Sequence, residues 1–343
     1  MAETLLYCGK TAERAKEVMQ MKRIIVGLTI CCLVLGFQAA QAATRTLKLA
    51  HAVSTTAPYH LGAEKFVQTL TERLGDRFEI QIFPNKQLGS ERSLVEQLQI
   101  GTIDLVVTST GPLGGFVPEM LVVDLPFLFR DTQHVDHVFE GPIGKSLLIK
   151  LREAKLKGLA FWENGFRNLT NNRRPVFKPE DCRGLIIRTM ENEIHLASFR
   201  LLGANPTPMA WGEALTALKQ GTIDGQENPI NIIYTHGIYD LQKNLALTAH
   251  FYSPALLLMN LNTFQELSPS DQKAFLEAAQ IAGRYEKELI RKGEAETLKK
   301  LRDLGMQVTL PDRSFFRNAM APVYLKYQSR FGQALIQEIL DTP

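Results

Sequence analysis

Gly184-Leu185-Ile186-Ile187-Arg188-Thr189, Gly203-Ala204-Asn205-Pro206-Thr207-Pro208-Met209-Ala210-Trp211 and Gly221-Thr222-Ile223-Asp224-Gly225-Gln226-Glu227-Asn228-Pro229 all fall within residues 181–229. The first segment is a short apolar strand ending in a lone cation. The second is a Pro-rich turn before an aromatic, and the third a glycine-bounded strand entry. A guanidinium is permanently charged and presents a rigid fork of donors. An arginine fixed at a strand's end, beside turns and an indole, therefore suits a planar anion, above all a carboxylate. A local Asp or Glu would give an ordinary ion pair instead, and the surrounding sequence decides between the two.

Working outward, Leu98-Gln99-Ile100-Gly101-Thr102-Ile103-Asp104 returns as Leu218-Lys219-Gln220-Gly221-Thr222-Ile223-Asp224. Each copy closes a helix, with Gly101 and Gly221 at the left-handed position past its end, and each leads an isoleucine into a sheet. The flanking pattern alternates: a strand over 46–50, a helix over 57–74, a strand over 78–83, a helix over 91–100 and a strand over 103–108. This predicts a parallel-rich α/β layer. With one copy of the echo in each half, and too many residues for one typical core, we expect two similarly built lobes that present strand ends to a ligand.

Ser268-Pro269-Ser270-Asp271 is a strong helix start, and no proline follows until Pro311. Phe275, Ala279, Ala282, Tyr285, Leu289, Leu298 and Leu301 recur at near-helical spacing. One helix over 269–304 would be roughly 54 Å long at about 1.5 Å per residue. A 150-residue lobe is only about 38 Å across, so such a helix must span both lobes. Gly283 and Gly293 weaken it and are the places where it would break.

At the other end, Met21-Lys22-Arg23, an apolar run over 24–37 and Ala40-Gln41-Ala42 are the successive parts of a secretory signal, with cleavage expected after Ala42. Residues 1–20 fit no part of a signal and are read as a start codon placed too early. The apolar run is shorter than the roughly 20 residues a membrane span needs, so the exported product is expected to be soluble, in the periplasm and not membrane-inserted. Such a leader takes with it five of the 39 Lys and Arg, three of the 36 Asp and Glu, and Cys8, Cys31 and Cys32. The remainder has a net charge near +1, which argues against a nucleic-acid partner. Cys182 is left without a cysteine partner and is read as a small buried residue.

Several motifs in order now resemble one family, the solute-binding proteins of TRAP (tripartite ATP-independent periplasmic) transporters, the DctP family. They are the strand ending at Arg188, Gly203-Ala204-Asn205-Pro206-Thr207-Pro208-Met209 and Asp224-Gly225-Gln226-Glu227-Asn228-Pro229. Pro84 with Gln87-Leu88-Gly89, and Asn164-Gly165-Phe166-Arg167 with Thr170-Asn171, agree with them. The resemblance implies a two-lobed periplasmic-binding-protein fold of α/β class, closing like a Venus flytrap, with a long helix spanning both lobes. We expect lobe I to comprise 43–163 and about 253–290, and lobe II to comprise 164–252 and about 291–343.

The resemblance also implies site roles. Arg188 is the main carboxylate clamp, Arg167 a second cation at the cleft, and Asn228 an amide on the same carboxylate. Trp211 packs on the ligand's carbon skeleton. His51 and Glu91 reach from the opposite lobe, and Glu191 follows Arg188 on its own side. Where relatives taking nine-carbon sugar acids carry extra polar groups, this chain has Ser109-Thr110-Gly111-Pro112, which favours a smaller acid.

No cofactor is implied, and the implied partners are a small organic acid and the TRAP membrane permease subunits. A sugar acid such as a uronate is favoured, with a C4-dicarboxylate next. An exported receptor feeding a sensor would share the same lobes. An enzyme is disfavoured because no Gly-x-Ser-x-Gly, His-Glu-x-x-His, Gly-x-Gly-x-x-Gly or phosphate loop occurs. His134, His137 and Glu140, three apart, imitate a metal site but are read as a solvated helix face.

Overall fold

Among the described residues nine strands build a single mixed sheet, running from edge to edge through Phe78–Phe83, Arg45–His51, Leu105–Ser109, Asn244–Asn260, Leu156–Asn171, Gly225–Pro229, Ile186–Thr189 and Asn205–Pro208, with Gln307–Thr309 added against Asn244–Asn260. In chain order, β1 (Arg45–His51), α1 (Pro58–Leu74), β2 (Phe78–Phe83), α2 (Glu91–Ile100) and β3 (Leu105–Ser109) form the first parallel layer. After α3 (Thr132–Glu140) and α4 (Pro142–Lys150), the long strand β4 (Leu156–Asn171) leads to β5 (Ile186–Thr189), α5 (Glu193–Leu201), β6 (Asn205–Pro208), α6 (Trp211–Gln220) and β7 (Gly225–Pro229), where β5, β6 and β7 are again parallel. α7 (Ile230–Thr235) precedes the second long strand, β8 (Asn244–Asn260), and α8 (Leu261–Gln265). The chain ends with α9 (Pro269–Asp303), β9 (Gln307–Thr309), α10 (Arg313–Met320), α11 (Pro322–Phe331) and α12 (Gln333–Asp341). The computed structural model describes residues 18–22 and 44–343. The expected cleavage site and Cys8, Cys31 and Cys32 lie outside the described residues. Of two compact units, Met1–Thr44 and Arg45–Pro343, the first is described only at Thr44 and in the helical residues 18–22.

Both faces of the sheet are covered, as a parallel-rich sheet requires. Leu49, Leu105, Val107 and Leu257 face one apolar cluster, whereas Ala50, Val106, Leu256 and Leu258 face another. β4 and β8 are antiparallel neighbours, and their register slips three times, between Gly158 and Ala160, between Glu163 and Gly165 and between Arg167 and Leu169. Gly165 has φ +119° at the second slip. Ala249 has φ +41° opposite the third, held by a bond from its N–H to Asn168 Oδ1 (3.1 Å).

The internal echo has a structural counterpart. Gly101 (φ +77°) and Gly221 (φ +67°) are both left-handed helix caps. Asp104 accepts from Lys48 N (2.9 Å) and Asp224 from Ile186 N (2.8 Å), so each aspartate ties its turn to the first strand of its own half. Ile103 and Ile223 are buried, but β3 and β7 begin two residues later than the spacing predicts, because these aspartate turns come first.

α9 is unbroken through Gly283 and Gly293 and touches α1 and β4 as well as α7. At the crossing, Trp162 of β4 donates its indole N–H to Ala279 O (3.0 Å) and fills the space that Gly62 and Gly283 leave. Arg291 of α9 reaches Glu163 of β4 (2.6 Å) and Asp136 of α3 (2.5 Å). The last two helices pack back onto the first half of the chain. Val323, Tyr327, Phe331, Ile336 and Ile339 share a core cluster with Leu94, Val106 and Phe139, and Arg130 donates to Leu340 O (2.7 Å).

The face expected to be solvated is so only in part: His137 and Glu140 are exposed, whereas His134 is fully buried against Ile339 O (2.7 Å). His137 also contacts Pro343 O (2.7 Å), so these rings hold the last described residues. No metal cluster occurs among the described residues. Cys182 is buried and has no disulfide partner among the described residues, and burial pushes its thiol up to about 12.

Candidate ligand-binding site

Arg188 extends from the end of β5, where its backbone pairs with Thr207 of β6 and Gln226 of β7. Only 3% of it is exposed. Its Nε donates to Met209 O (2.9 Å), and its guanidinium lies 5.4 Å from the Trp211 ring centroid. The β6–α6 connection therefore fixes the fork from two sides, while no ion pair to Arg188 occurs among the described residues. Burial pushes its pKa down to about 10. Attraction to Glu227 opposes that shift and repulsion from Arg167 adds to it, and the group stays charged at neutral pH.

Arg188 lines a narrow cavity of ≈ 30 Å³, partly open to solvent, together with Asn228, Trp211, Glu91, Tyr59 and Asn164. Asn228 donates to Gln226 Oε1 (2.5 Å), which leaves its second amide hydrogen and its oxygen for other partners. Trp211 opens α6, and its Nε1–H points at His236 Nδ1 (3.3 Å). Burial, and to a lesser degree Lys86, lowers His236 to about 4, so the ring is a neutral acceptor. Glu91 is the first residue of α2. One carboxylate oxygen accepts from Ser109 N (2.7 Å) and Thr108 Oγ1 (3.1 Å), which ties the helix start to the end of β3. Glu191 is exposed and lines an adjoining shallow pocket with Arg188, Glu91 and Trp211.

Besides Glu191, two of the expected residues lie off the cavity lining. Arg167 is fully buried and forks onto the Glu227 carboxylate through Nε and Nη2 (Nη2 to Oε1 2.9 Å), with Nη2 also on Glu227 O (2.6 Å). Burial pushes the Glu227 carboxyl up, but the Arg167 charge, the nearby His250 ring (Nε2 3.4 Å away) and the Arg167 hydrogen bonds outweigh it and hold the group well below the usual carboxylate range. Arg167 thus already has its carboxylate, although its Nη1 has no partner among the described residues. His51 is likewise engaged, with Nε2 3.0 Å from His60 Nδ1. Burial and the neighbouring His60 lower His51 to about 3, which keeps it neutral.

Sequence reasoning missed Tyr59, Asn164 and Met190 on the cavity wall. Met190 reaches the lining because Gly111 has no side chain there: a Cβ on Gly111 would lie 2.5 Å from Met190 Sδ. That close packing is what the Ser109–Pro112 departure provides.

With this geometry in hand, the comparisons with known proteins are decisive. The family described as bacterial extracellular solute-binding protein, family 7 (DctP) matches residues 49–330. The chain belongs to the solute-binding proteins of TRAP transporters. A TRAP periplasmic solute binding protein of Bordetella bronchispeptica, with density assigned to pantoate, is 45% identical, with a TM-score of 0.86 covering 88% of this chain and 100% of that one. A TRAP solute binding protein of Polaromonas sp. JS666 bound to D-erythronate is 43% identical, with a TM-score of 0.85 covering 87% and 99%. The 2,3-diketo-L-gulonate-binding periplasmic protein YiaO of Escherichia coli K12 is 36% identical over 88% of this chain and 92% of its own. TRAP solute-binding proteins capture organic acids without transforming them, so this chain is a binding protein and not an enzyme. No described helix is long and apolar enough to cross a membrane.

Proposed function

We propose that Arg188 clamps the carboxylate of a hydroxylated organic acid between two lobes, and that the closed protein delivers it in the periplasm to a TRAP permease in the membrane. The observation that carries this reading is a buried, rigidly held guanidinium facing a cavity with no carboxylate partner among the described residues. Arg167 is neutralised by Glu227, so the charge beside the cavity that calls for an anion is that of Arg188. Asn228 supplies an amide donor to the same carboxylate, and Trp211 a flat wall for carbon.

Glu91 argues for the kind of acid. A carboxylate at the cavity repels a second carboxylate on the ligand and accepts from hydroxyls, which favours a hydroxy monocarboxylate over a C4-dicarboxylate. The packing of Met190 against Gly111 favours a small one. The hydroxy acids in the Bordetella and Polaromonas relatives agree with both points.

One arginine and one carboxylate at about 4 Å attract by roughly 4 kcal/mol at an effective dielectric of 20, before desolvation is subtracted. Tight binding therefore needs the remaining polar contacts and exclusion of water. Lobe closure provides these, and the irregular centres of β4 and β8, at Gly165 and Ala249, are the hinge in this reading.

Calorimetry with D-erythronate, D-galactonate and D-glucuronate tests the proposal. At least one should bind, and Arg188→Ala should weaken it by about 2 to 5 kcal/mol, because truncation leaves the ligand's charge unpaired. Wild-type affinity in that variant would refute the clamp.

A further inference from the structure

We infer that Tyr59 and Asn164 together read one hydroxyl of the bound acid, so that the protein selects a hydroxy acid over its deoxy counterpart. This rests on the proposal that the cavity beside Arg188 holds an acid, and it adds a recognition element from two residues to which the resemblance assigned no role.

Tyr59 lies in the first turn of α1 and Asn164 in β4. Both line the cavity with Arg188, and they are only 3% and 5% exposed. The Tyr59 hydroxyl has no hydrogen-bond partner among the described residues, and neither does Asn164 Oδ1. The Asn164 amide is oriented by its Nδ2, which donates to Ser253 Oγ (3.3 Å). Buried polar atoms without partners are costly and uncommon, so two on one cavity wall call for a specific occupant.

The chemistry of the two atoms narrows that occupant. Burial, followed by the nearby Glu91 and Glu286, holds the Tyr59 phenol well above its ordinary pKa, so it stays a neutral donor. Asn164 Oδ1 can only accept. A group that serves both must accept one hydrogen bond and donate another, which a hydroxyl does. A carboxylate has no proton for Asn164, an ammonium cannot accept from Tyr59, and a methylene does neither. A site built around such a pair rejects the analogue lacking the hydroxyl, because its own polar atoms are then left unpaired. A trapped water also fits both atoms, and it would make no distinction between ligands.

The test is calorimetry with D-erythronate and its three monodeoxy analogues, 3,4-, 2,4- and 2,3-dihydroxybutanoate, on wild type, Tyr59→Phe and Asn164→Ala. In wild type one analogue should bind roughly 10- to 100-fold more weakly than erythronate. Tyr59→Phe should shrink that gap to about threefold or less, while binding of the same analogue stays within about threefold of wild type. The inference is overturned if both variants weaken all four acids equally, as loss of a structural water would, or leave all four unchanged. Arg188→Ala run in parallel separates the two ideas: undiminished affinity there contradicts the clamp, whereas an unchanged erythronate-to-deoxy ratio in Tyr59→Phe contradicts only the hydroxyl pair.

Discussion

Arg167 and Arg188 stand close enough to repel each other, yet Glu227 neutralises only the first. Replacing Glu227 by Gln should therefore destabilise the protein by about 3 to 5 kcal/mol, because it strands a fully buried guanidinium. Urea denaturation measures this, and a loss below about 1 kcal/mol would mean that Arg167 finds another partner. The buried histidines give the fold a pH dependence of definite sign. His51, lowered to about 3, and His236, lowered to about 4, bind protons more readily unfolded than folded. Their contribution is complete above the unfolded value near 6.5 and is lost as pH falls toward those folded values. Stability should drop by a few kcal/mol between pH 6.5 and 4, and His51→Gln should flatten that slope. At this scale the sequence displayed Arg188, Asn228, Trp211 and Glu91, because each sits in a motif or at an element's end. It hid Tyr59 and Asn164, since spacing does not reveal which buried polar atom lacks a partner. It also pointed to Arg167 and His51 at the cavity, where neither showed that Glu227 or His60 would engage it first.

Among the elements, α9 separates two glycines that look alike in sequence. A Cβ on Gly283 would lie 2.6 Å from Trp162 Cδ1, whereas on Gly293 the nearest neighbour is Thr297 Oγ1 at 4.0 Å. Gly283→Ala should destabilise by about 1 to 3 kcal/mol through overpacking against Trp162. Gly293→Ala should stabilise by about 0.5 to 1 kcal/mol, since only helix propensity changes. Thermal denaturation of the two variants compares them directly, and equal signs would contradict the packing at the crossing. The length of α9, the αL caps and the first five elements were legible from periodicity and capping residues. The slipped registers of β4 and β8 were not. They depend on how two long strands pair, and the sequence states that only through Gly165. The docking of α12 on α3 was equally hidden, because it comes from backbone carbonyls received by Arg130, His134 and His137.

For the whole molecule, the proposed cycle is capture of an acid followed by closure about β4 and β8. The two tryptophans of this chain report on it separately. Trp211 lines the cavity, whereas Trp162 is buried at the helix crossing with its indole N–H bonded. D-Erythronate should alter the intrinsic fluorescence of the wild type, and Trp211→Phe should abolish the change while calorimetry still detects binding. A change that survives in Trp211→Phe would move the site away from that wall. The most direct measurement of the central claim is a crystal structure of the protein with a bound hydroxy acid. The ligand carboxylate should lie within about 3 Å of the Arg188 guanidinium, with the Asn228 amide beside it. A carboxylate held elsewhere, with Arg188 contacting only protein or solvent, would contradict it.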